Sequence, residues 1–369
     1  MKVLLTGSAG FIGGAIAERL EAAGDEVVRV DLMLEKAHGA TSAPAGTHQL
    51  DVRDADAWPD LLRGVDVVCH QAAMVGAGVT VADLPLYAGH NDLGTAVLLA
   101  AMHEAGVHRL VQASSMVVYG EGRYTCAEHG EQVPATRPRE ALEAGRFENP
   151  CPVCGEPLTW ALVDEDARLE PRSSYAASKV AQEHYAIAWV RQAGAAALSL
   201  RYHNVYGPRM PRDTPYSGVA AMFRSSLERG EAPQVFEDGR QVRDFVHVDD
   251  VARANEAALR AVLEEPEGHH RAYNVASGHP IGIRDVASLV ARGTGSDIEP
   301  EVTGGYRLGD VRHVVASPQR ATDELGFTAT VHPDQGLPAF ATAPLRDCPG
   351  PYFPPTRPEL RVDPAHTSR

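Results

Sequence analysis

The first thirty residues constrain the fold most, because an apolar run leads into a glycine-rich turn and then into a helical pattern. The run KVLLTG is continuously apolar, which is typical of a strand buried on both faces of a parallel sheet. The segment AIAERLEAAG has helical spacing and stops at Gly24. A strand, a glycine turn and a helix in this order predict the first unit of a layered α/β fold.

The turn between this strand and helix contains three glycines, each with a separate task in a dinucleotide-binding motif. Gly7 permits the tight turn, Gly10 lets the backbone approach a pyrophosphate, and Gly13 allows close packing of helix on strand. The helix N-terminus directs free N–H groups and a favourable dipole toward the phosphates. The predicted phosphate-binding residues are Gly7, Gly10, Phe11, Ile12 and Gly13.

Acidic and small residues complete the predicted cofactor site. The second apolar run, EVVRVD, ends in Asp31, about 20 positions after the glycine motif. A carboxylate there accepts hydrogen bonds from the adenosine ribose and repels a 2′-phosphate, so NAD is predicted rather than NADP. Asp51 and Val52 follow THQL, where the adenine edge would be recognised. Ala72 and Ala73 close a third apolar run, where small side chains let the cofactor lie flat.

Later apolar runs continue the alternation of strand and helix patterns along the chain. They occupy 65–73, 109–115 and 196–202, and helical patterns separate them. Because strands that alternate with helices pack as a sheet covered on both faces, we expect an α/β protein with a doubly wound parallel sheet of the Rossmann type.

Bulk composition limits the partners. A net charge of −15 over 369 residues disfavours nucleic acid and anionic membrane surfaces. No apolar run is long enough to span a membrane, and the N-terminus lacks a secretory cleavage signature. Five cysteines, an odd number, do not suggest a disulfide framework. We therefore expect a cytoplasmic protein with neither nucleic acid nor membrane as a partner.

Three polar residues indicate proton-transfer chemistry near this cofactor. Tyr175 and Lys179 are four apart in the helical segment 173–192, so their side chains share one face. A tyrosine hydroxyl is a poor base at neutral pH, but an adjacent ammonium and a positive nicotinamide ring favour the phenolate. Ser115 ends the strand within ASSMVVYG, at the edge where open α/β sheets place their ligands.

With these residues in place, the chain resembles the extended short-chain dehydrogenase/reductase family, in its NAD-dependent nucleotide-sugar epimerase/dehydratase branch. The resemblance covers most of residues 1–330 and rests on GSAGFIG, CHQAA, SSMVVYG, YAASK, RYHNVYGPR, VRDFVHVDDVA and RLGDVRH, in that order. It also implies a homodimer, in which each subunit packs two helices against its partner, here around 92–106 and 175–192.

The resemblance implies roles for individual residues. Tyr175 would be the general base and acid, Lys179 would bind the nicotinamide ribose and tune the tyrosine, and Ser115 would hydrogen-bond the reacting sugar hydroxyl. Arginines suit a diphosphate because they donate bidentate, charge-assisted hydrogen bonds. The residues that match the family's diphosphate-contacting positions are Asn204, Arg243 and Arg307.

One departure from the family pattern narrows the reaction. Relatives that dehydrate or decarboxylate the sugar carry an additional acidic group after the strand, whereas here Ser115 is followed by Met116 and Val117. Hydride transfer at one carbon remains, which implies an NAD-dependent 4-epimerase that inverts C4 of a dTDP- or UDP-hexose through a 4-keto intermediate. A one-way 4-ketoreductase or dehydrogenase is the alternative. A non-catalytic NAD sensor would not need Ser115, Tyr175 and Lys179.

An insert between the two catalytic motifs, 123–165, predicts a metal site. Cys126 and His129 form one two-residue-spaced pair, and Cys151 and Cys154 form another about twenty residues further on. Two such pairs suit a tetrahedral, structural zinc whose binding supplies folding energy to a polar segment. A redox disulfide between Cys151 and Cys154, or unligated cysteines, are the alternatives. The insert resembles that of a bacterial subgroup, the dTDP-L-rhamnose 4-epimerases.

The predicted division of the chain is discontinuous. Residues 1–203 and 241–265 form the NAD-binding Rossmann domain, with the zinc-knuckle insert inside it. Residues 204–240 and 266–342 form a smaller α+β substrate-binding part. The remaining segment, 343–369, is rich in Pro and Arg, so we expect an extended or disordered tail.

Overall fold

Fifteen strands form in the part of the chain described by the structure, a computed structural model that covers 1–38, 42–76, 81–212 and 218–346. They are β1 (Lys2–Thr6), β2 (Glu26–Asp31), β3 (Thr47–Gln49), β4 (Val67–His70), β5 (Arg109–Ser115), β6 (Arg123–Cys126), β7 (Gly130–Gln132), β8 (Thr159–Ala161), β9 (Ala196–Tyr202), β10 (Asn204–Tyr206), β11 (Gln234–Val235), β12 (Val242–His247), β13 (His269–Val275), β14 (Pro280–Gly282) and β15 (Glu301–Val302). Seven of them make a central sheet in the order β13-β9-β5-β4-β1-β2-β3.

Every pairing in the central sheet is parallel, as the continuously apolar strands predict. Leu4 of β1, for example, pairs with Val28 of β2 on one side and Val68 of β4 on the other. The strand order reverses between β1 and β4, and ligands of open α/β sheets bind outside the carboxyl ends of the strands at such a point. This arrangement confirms the predicted doubly wound Rossmann-type fold.

Helices cover both faces of the sheet. In the described residues they are α1 (Phe11–Ala22), α2 (Glu35–His38), α3 (Trp58–Leu61), α4 (Leu84–Tyr87), α5 (Gly94–Glu104), α6 (Arg139–Glu143), α7 (Ser174–Ala193), α8 (Val219–Glu228), α9 (Val248–Glu264), α10 (Ile283–Thr294), α11 (Gln319–Leu325) and α12 (Pro333–Phe340). Ile16 of α1 and Leu259 of α9 belong to the core on one face. Leu98 of α5 and Trp189 of α7 belong to the core on the other. The strands are therefore buried on both sides.

A second part of the molecule has its own small sheets and core. β10, β12 and β14 form one sheet, and β11 pairs with β15. Tyr206, Phe245, Leu289 and Phe340 share its hydrophobic core.

Strand pairing shifts the predicted division of the chain at two points. Val242–His247, assigned from sequence to the Rossmann domain within 241–265, pairs instead in the second part. His269–Val275, assigned to the substrate-binding range 266–342, is the edge strand of the central sheet. The reason is that a short apolar run can pair in either sheet, and only tertiary contacts decide between them.

The insert forms a three-stranded antiparallel sheet in the order β7-β6-β8. Its buried apolar cluster contains only Tyr124, Cys126, Cys151 and Leu158, with Trp160 packed at the edge. Half of this cluster consists of cysteines, so the insert buries little apolar surface to stabilise itself.

Two remaining expectations concern membranes and the tail. Within the described ranges, no helix is both long and apolar enough to cross a membrane. Of the tail predicted at 343–369, the part from 347 onward lies outside the described residues.

Candidate active site

The glycine turn joins β1 to α1 as a tight cradle. Gly7 has φ +67°, in the left-handed region that favours glycine. A Cβ added to Gly13 would lie 2.0 Å from the carbonyl oxygen of Gly7, so this contact admits only glycine. Gly10 caps α1 without a side-chain hydrogen bond, which leaves the first N–H groups, including those of Phe11 and Ile12, available to an anion. The turn therefore fits a dinucleotide pyrophosphate.

Asp31 lies at the end of β2 beside this turn, and its carboxylate is buried. It accepts hydrogen bonds from the backbone N–H groups of Ala9 at 2.9 Å and Met33 at 2.8 Å. Its Oδ1 lies 3.2 Å from Nε2 of His38. Burial raises the pKa of Asp31, but His38 and the two N–H groups outweigh it and hold the pKa below its usual range. An ionised acceptor of this kind suits the ribose hydroxyls of a dinucleotide.

The four other predicted cofactor residues line the same edge of the sheet. Asp51 pairs with Arg53 at 2.5 Å, and the adjacent Val52 is buried. Ala72 follows β4, and its N–H donates to Oγ1 of Thr6 at 3.1 Å. A Cβ added to Gly7 would lie 2.7 Å from that same Ala72 nitrogen. Ala73 is the next residue and is half-buried.

Arg346 is a residue near the glycine turn that sequence reasoning missed. Its Nη1 donates to the carbonyl oxygen of Ala9 at 2.8 Å, although 337 residues separate the two in sequence. Its backbone pairs with Met210 and Arg212. Only the pairing of these distant backbone segments brings the arginine to the turn, so the sequence carries no local signal for it.

Ser115, Tyr175 and Lys179 converge where β5 ends and α7 begins. Ser173 caps α7 by accepting a hydrogen bond from the N–H of Ala176 at 3.1 Å, which places Tyr175 in the first turn. Nζ of Lys179 lies 5.9 Å from the centroid of the Tyr175 ring. The structure therefore brings together the three residues predicted to be catalytic.

Burial opposes ionisation of the tyrosine and the lysine. It raises the pKa of Tyr175 to about 12, although the hydroxyl of Ser115 acts in the opposite direction. It lowers the pKa of Lys179 to about 8, against the attraction of the Glu183 carboxylate. A serine that lowers the pKa of the tyrosine, with an ammonium nearby, is the arrangement that a tyrosine base requires.

A buried ion pair anchors α7 to the sheet, and sequence reasoning did not identify it. Arg201 of β9 donates to Glu183 of α7 through Nε at 2.9 Å and Nη2 at 2.7 Å. Ser114 of β5 donates to the same carboxylate. Because Glu183 lies eight residues after Tyr175 on one helix, these bonds hold the helix in register with the strand that carries Ser115. The neighbouring YAASK motif gives no indication of a partner on β9.

The two predicted diphosphate arginines line one cleft of about 120 Å³ in the second part of the molecule. Nη1 of Arg243 donates to the carbonyl oxygen of Arg312 at 2.8 Å, and Nη2 to that of Val311 at 2.6 Å. The guanidinium of Arg307 lies 5.1 Å from the ring centroid of Phe236. Two guanidinium groups on one cleft suit a ligand with two phosphates.

Asn204, the third predicted substrate residue, begins β10. Its Nδ2 donates to the carbonyl oxygen of Asp244 at 3.0 Å and contacts the sulfur of Met116 at 3.5 Å. Since Met116 follows Ser115 directly, Asn204 lies between the catalytic strand end and the second part of the molecule.

The four predicted metal ligands also meet. The ligand atoms of Cys126, His129, Cys151 and Cys154 all lie within 4.8 Å of one another. Sγ of Cys126 is 3.4 Å from Nδ1 of His129 and 3.7 Å from Sγ of Cys154. Tetrahedral zinc with ordinary Zn–S and Zn–N bonds requires ligand separations of about 3.5–3.8 Å. The three thiols are free, which disfavours the alternative of a disulfide between Cys151 and Cys154.

Comparison with known proteins is consistent with this geometry. A family described as the NAD dependent epimerase/dehydratase family matches residues 3–143 and 153–276. The unmatched stretch between them falls inside the insert.

Curated relatives are similar over nearly their whole length. A dTDP-L-rhamnose 4-epimerase from Burkholderia thailandensis is 34% identical, over 91% of this chain and 93% of its own. A UDP-glucose 4-epimerase from Streptomyces lividans is 32% identical, over 88% and 91%. Among solved structures, a Thermus thermophilus UDP-glucose 4-epimerase in complex with NAD is 32% identical with a TM-score of 0.71, covering 92% of this chain and 98% of its own.

Proposed function

This chain belongs to the NAD dependent epimerase/dehydratase family, and we propose that it is an NAD-dependent nucleotide-sugar 4-epimerase that inverts C4 of a dTDP- or UDP-hexose. The observation that carries the proposal is the convergence of Ser115, Tyr175 and Lys179 at the carboxyl end of the central sheet, the end at which the glycine turn also lies. Ser115 is followed by Met116 and Val117, and neither side chain is an acid or a base. This disfavours dehydration of the sugar. The epimerase names of the relatives support the same reaction.

The cofactor would lie along residues already described. The turn from Gly7 to Gly13 takes the pyrophosphate, Asp31 the adenosine ribose, Asp51 and Val52 the adenine edge, and Ala72 and Ala73 the flat face. When bound, NAD supplies a hydride acceptor for C4 and a positive ring that favours a phenolate.

The chain's own residues handle the proton and the orientation of the sugar. Tyr175 takes the proton of the C4 hydroxyl and later returns it, while Ser115 holds the sugar oxygen by a hydrogen bond. Lys179 binds the nicotinamide ribose and keeps positive charge near the phenolate. Arg243, Arg307 and Asn204 hold the diphosphate end of the substrate, so that the keto sugar can turn without leaving.

We also propose that the insert binds one structural zinc through Cys126, His129, Cys151 and Cys154. All four positions come from protein, which leaves no open position for catalysis. A segment with a four-residue apolar cluster gains its order from the metal rather than from a core. Free thiols as ligands favour a reducing compartment, so we propose the cytoplasm as the location.

The proposed homodimer uses the helices predicted for it. They lie around 92–106 and 175–192, where the large apolar side chains of Leu93 and Tyr185 are 53% and 43% exposed. Large apolar side chains exposed on these two helices favour burial against a second copy. Light scattering on the purified protein measures the expected mass of two chains.

A substrate panel tests the proposed reaction. The purified protein is incubated with UDP-, dTDP- and GDP-sugars without added cofactor, and the products are examined for C4 isomers. An epimerase regenerates its bound NAD and forms the isomer catalytically. A reaction that proceeds only with stoichiometric reduced cofactor would establish the one-way reductase instead.

A further inference from the structure

The insert reaches the substrate cleft through Arg137, whose side chain is almost completely buried. Its Nη1 donates to the carbonyl oxygen of Phe147 within the insert at 2.9 Å. Its Nη2 donates to the carbonyl oxygen of Asp310 at 2.7 Å and pairs with Oε1 of Glu237 at 2.8 Å. Asp310 and Glu237 both line the cleft that contains Arg243 and Arg307. Arg137 therefore joins the insert to the wall of that cleft.

A second buried arginine, Arg312, also connects the wall of the cleft with the insert, but it belongs to the cleft side. Its side chain lies on the loop that follows Arg307 and is fully buried. Nε donates to Glu148 of the insert at 3.0 Å, and Nη1 pairs with Glu237 at 2.7 Å. Glu148 also contacts Nε2 of His313 at 3.0 Å. The loop thus contacts the insert through an ion pair at Glu148, and the insert contacts the loop through the hydrogen bond from Arg137 to the carbonyl oxygen of Asp310.

Glu121 ties this network to the catalytic segment. Its buried carboxylate accepts from the backbone N–H of Arg312 at 3.1 Å and from Nδ2 of Asn149 at 3.1 Å. It also pairs with Arg172 at 3.0 Å, three residues before Tyr175. Three segments that are distant in sequence therefore meet at one carboxylate.

Glu237, the carboxylate shared by the two arginines, has an unusual backbone conformation. Glu237 has φ +52°, in the left-handed region that residues with a Cβ rarely occupy. Such a conformation persists only where the surroundings determine it, and Glu237 is held between Arg137 and Arg312. The ion pairs with the insert and the loop thus place one wall of the cleft.

The position of Arg243 depends on the same loop. Its guanidinium is held by the carbonyl oxygens of Val311 and Arg312, and Arg307 precedes them on the chain. We propose that the insert is a positioning element for the diphosphate subsite. Through Arg137 and Glu148 it fixes residues 307–313, and these fix the two arginines that meet the substrate. The identity of the ligand in this inference rests on the proposed nucleotide-sugar function. The coupling between the insert and residues 307–313 does not depend on that function.

Arg137→Met removes the connection without touching a proposed zinc ligand or a catalytic residue. Arg123→Met is the matched control, because Arg123 lies in the same insert but, among the residues that the structure describes, forms ion pairs with the partly exposed Glu131 and Asp164 alone. Arg137→Lys keeps the charge, and Glu148→Gln weakens the connection from a partly exposed position that tolerates substitution. Zinc content and thermal unfolding establish that each variant is metallated and folded.

Two measurements decide the proposal. Hydrogen exchange at residues 307–313 needs no ligand, and we expect it to accelerate in Arg137→Met and Glu148→Gln but not in Arg123→Met. Titration with UDP and dTDP should show that the affinity for these nucleotides is weakened about 10-fold or more in Arg137→Met and partly restored in Arg137→Lys. In steady-state kinetics with the nucleotide sugar, Arg137→Met should raise KM far more than it lowers kcat.

Unchanged exchange and unchanged nucleotide affinity in a folded Arg137→Met protein would overturn the inference. A wild-type protein that binds neither UDP nor dTDP would contradict the proposed function and the assignment of the diphosphate subsite. Hydrogen exchange would still decide whether the insert fixes the loop.

Discussion

Nζ of Lys179 lies 5.9 Å from the ring centroid of Tyr175 and donates to the carbonyl oxygen of Ala113 at 3.0 Å. This bond ties the lysine to β5 two residues before Ser115, so the positions of all three catalytic groups depend on one strand and one helix. A small shift of α7 against β5 would separate Tyr175 from Ser115 and Lys179 from the carbonyl oxygen of Ala113.

Removal of the Tyr175 hydroxyl should abolish turnover while NAD stays bound. Tyr175→Phe should lower kcat by about 10²–10⁴-fold, because the general base and acid is lost and the ring remains. Tyr185→Phe is the control, since Tyr185 lies on the same helix but is 43% exposed. Most of the activity surviving in Tyr175→Phe would exclude this residue as the base.

Lys179→Met should move the pH dependence of kcat. In the proposed mechanism the phenolate of Tyr175 is the active base, and burial already raises the pKa of this tyrosine to about 12. Without the ammonium the neutral phenol is favoured further, so the acidic limb should move to higher pH by about 1–3 units. Lys179→Arg, which retains positive charge, should move the limb less. An acidic limb that stays in place in Lys179→Met would show that the lysine does not tune the tyrosine.

Asp31→Ala should weaken the binding of NAD and reduce the discrimination against NADP. Hydrogen bonds to a charged acceptor contribute about 1.5–3 kcal/mol, which corresponds to an affinity loss of about 10- to 150-fold. The same change removes the charge that repels a 2′-phosphate, so the affinity for NADP should fall much less than the affinity for NAD. Asp60→Ala, at an exposed carboxylate paired with Arg63, controls for loss of surface charge. A wild type that prefers NADP in the titration would refute the role of Asp31.

Protein purified without chelator should contain about one zinc per chain. Cys151→Ser should lose the metal and loosen residues 123–165, while the Rossmann core still folds and binds NAD because its motif lies elsewhere. Cys348→Ser, at a cysteine outside the proposed ligand set, should keep the metal. Elemental analysis and limited proteolysis measure both effects. Absence of zinc together with a Cys151–Cys154 disulfide by mass spectrometry would identify a redox loop instead.

Local sequence pattern was sufficient for the nucleotide fold. The apolar run before Gly7 and the acidic Asp31 at the end of β2 belong to one motif of about thirty residues, so spacing alone predicts their arrangement. The proximity within each pair of proposed metal ligands was predictable for a similar reason, because two residues separate the members of each pair. Tyr175 and Lys179 lie on one face because a helix has a fixed period.

Long-range charged contacts could not be predicted in this way. Arg137 and Glu237 are separated by 100 residues, and neither lies in a periodic pattern that identifies its partner. Arg243 is held by backbone carbonyl oxygens, which every residue possesses, so its sequence context carries no signal of them. The placement of His269–Val275 in the central sheet depended on tertiary contacts in the same way.

The most direct test of the central claim follows the hydrogen at C4 of the sugar. A nucleotide sugar deuterated at C4 is incubated in ordinary water with the purified protein and no added cofactor, and both C4 isomers are analysed by mass spectrometry and NMR. We expect the inverted product to retain its deuterium, because the hydride is removed and returned within one closed site. A C4 isomer that carries solvent hydrogen, or a 4-keto sugar that accumulates with reduced cofactor, would contradict an epimerase that works by transient oxidation.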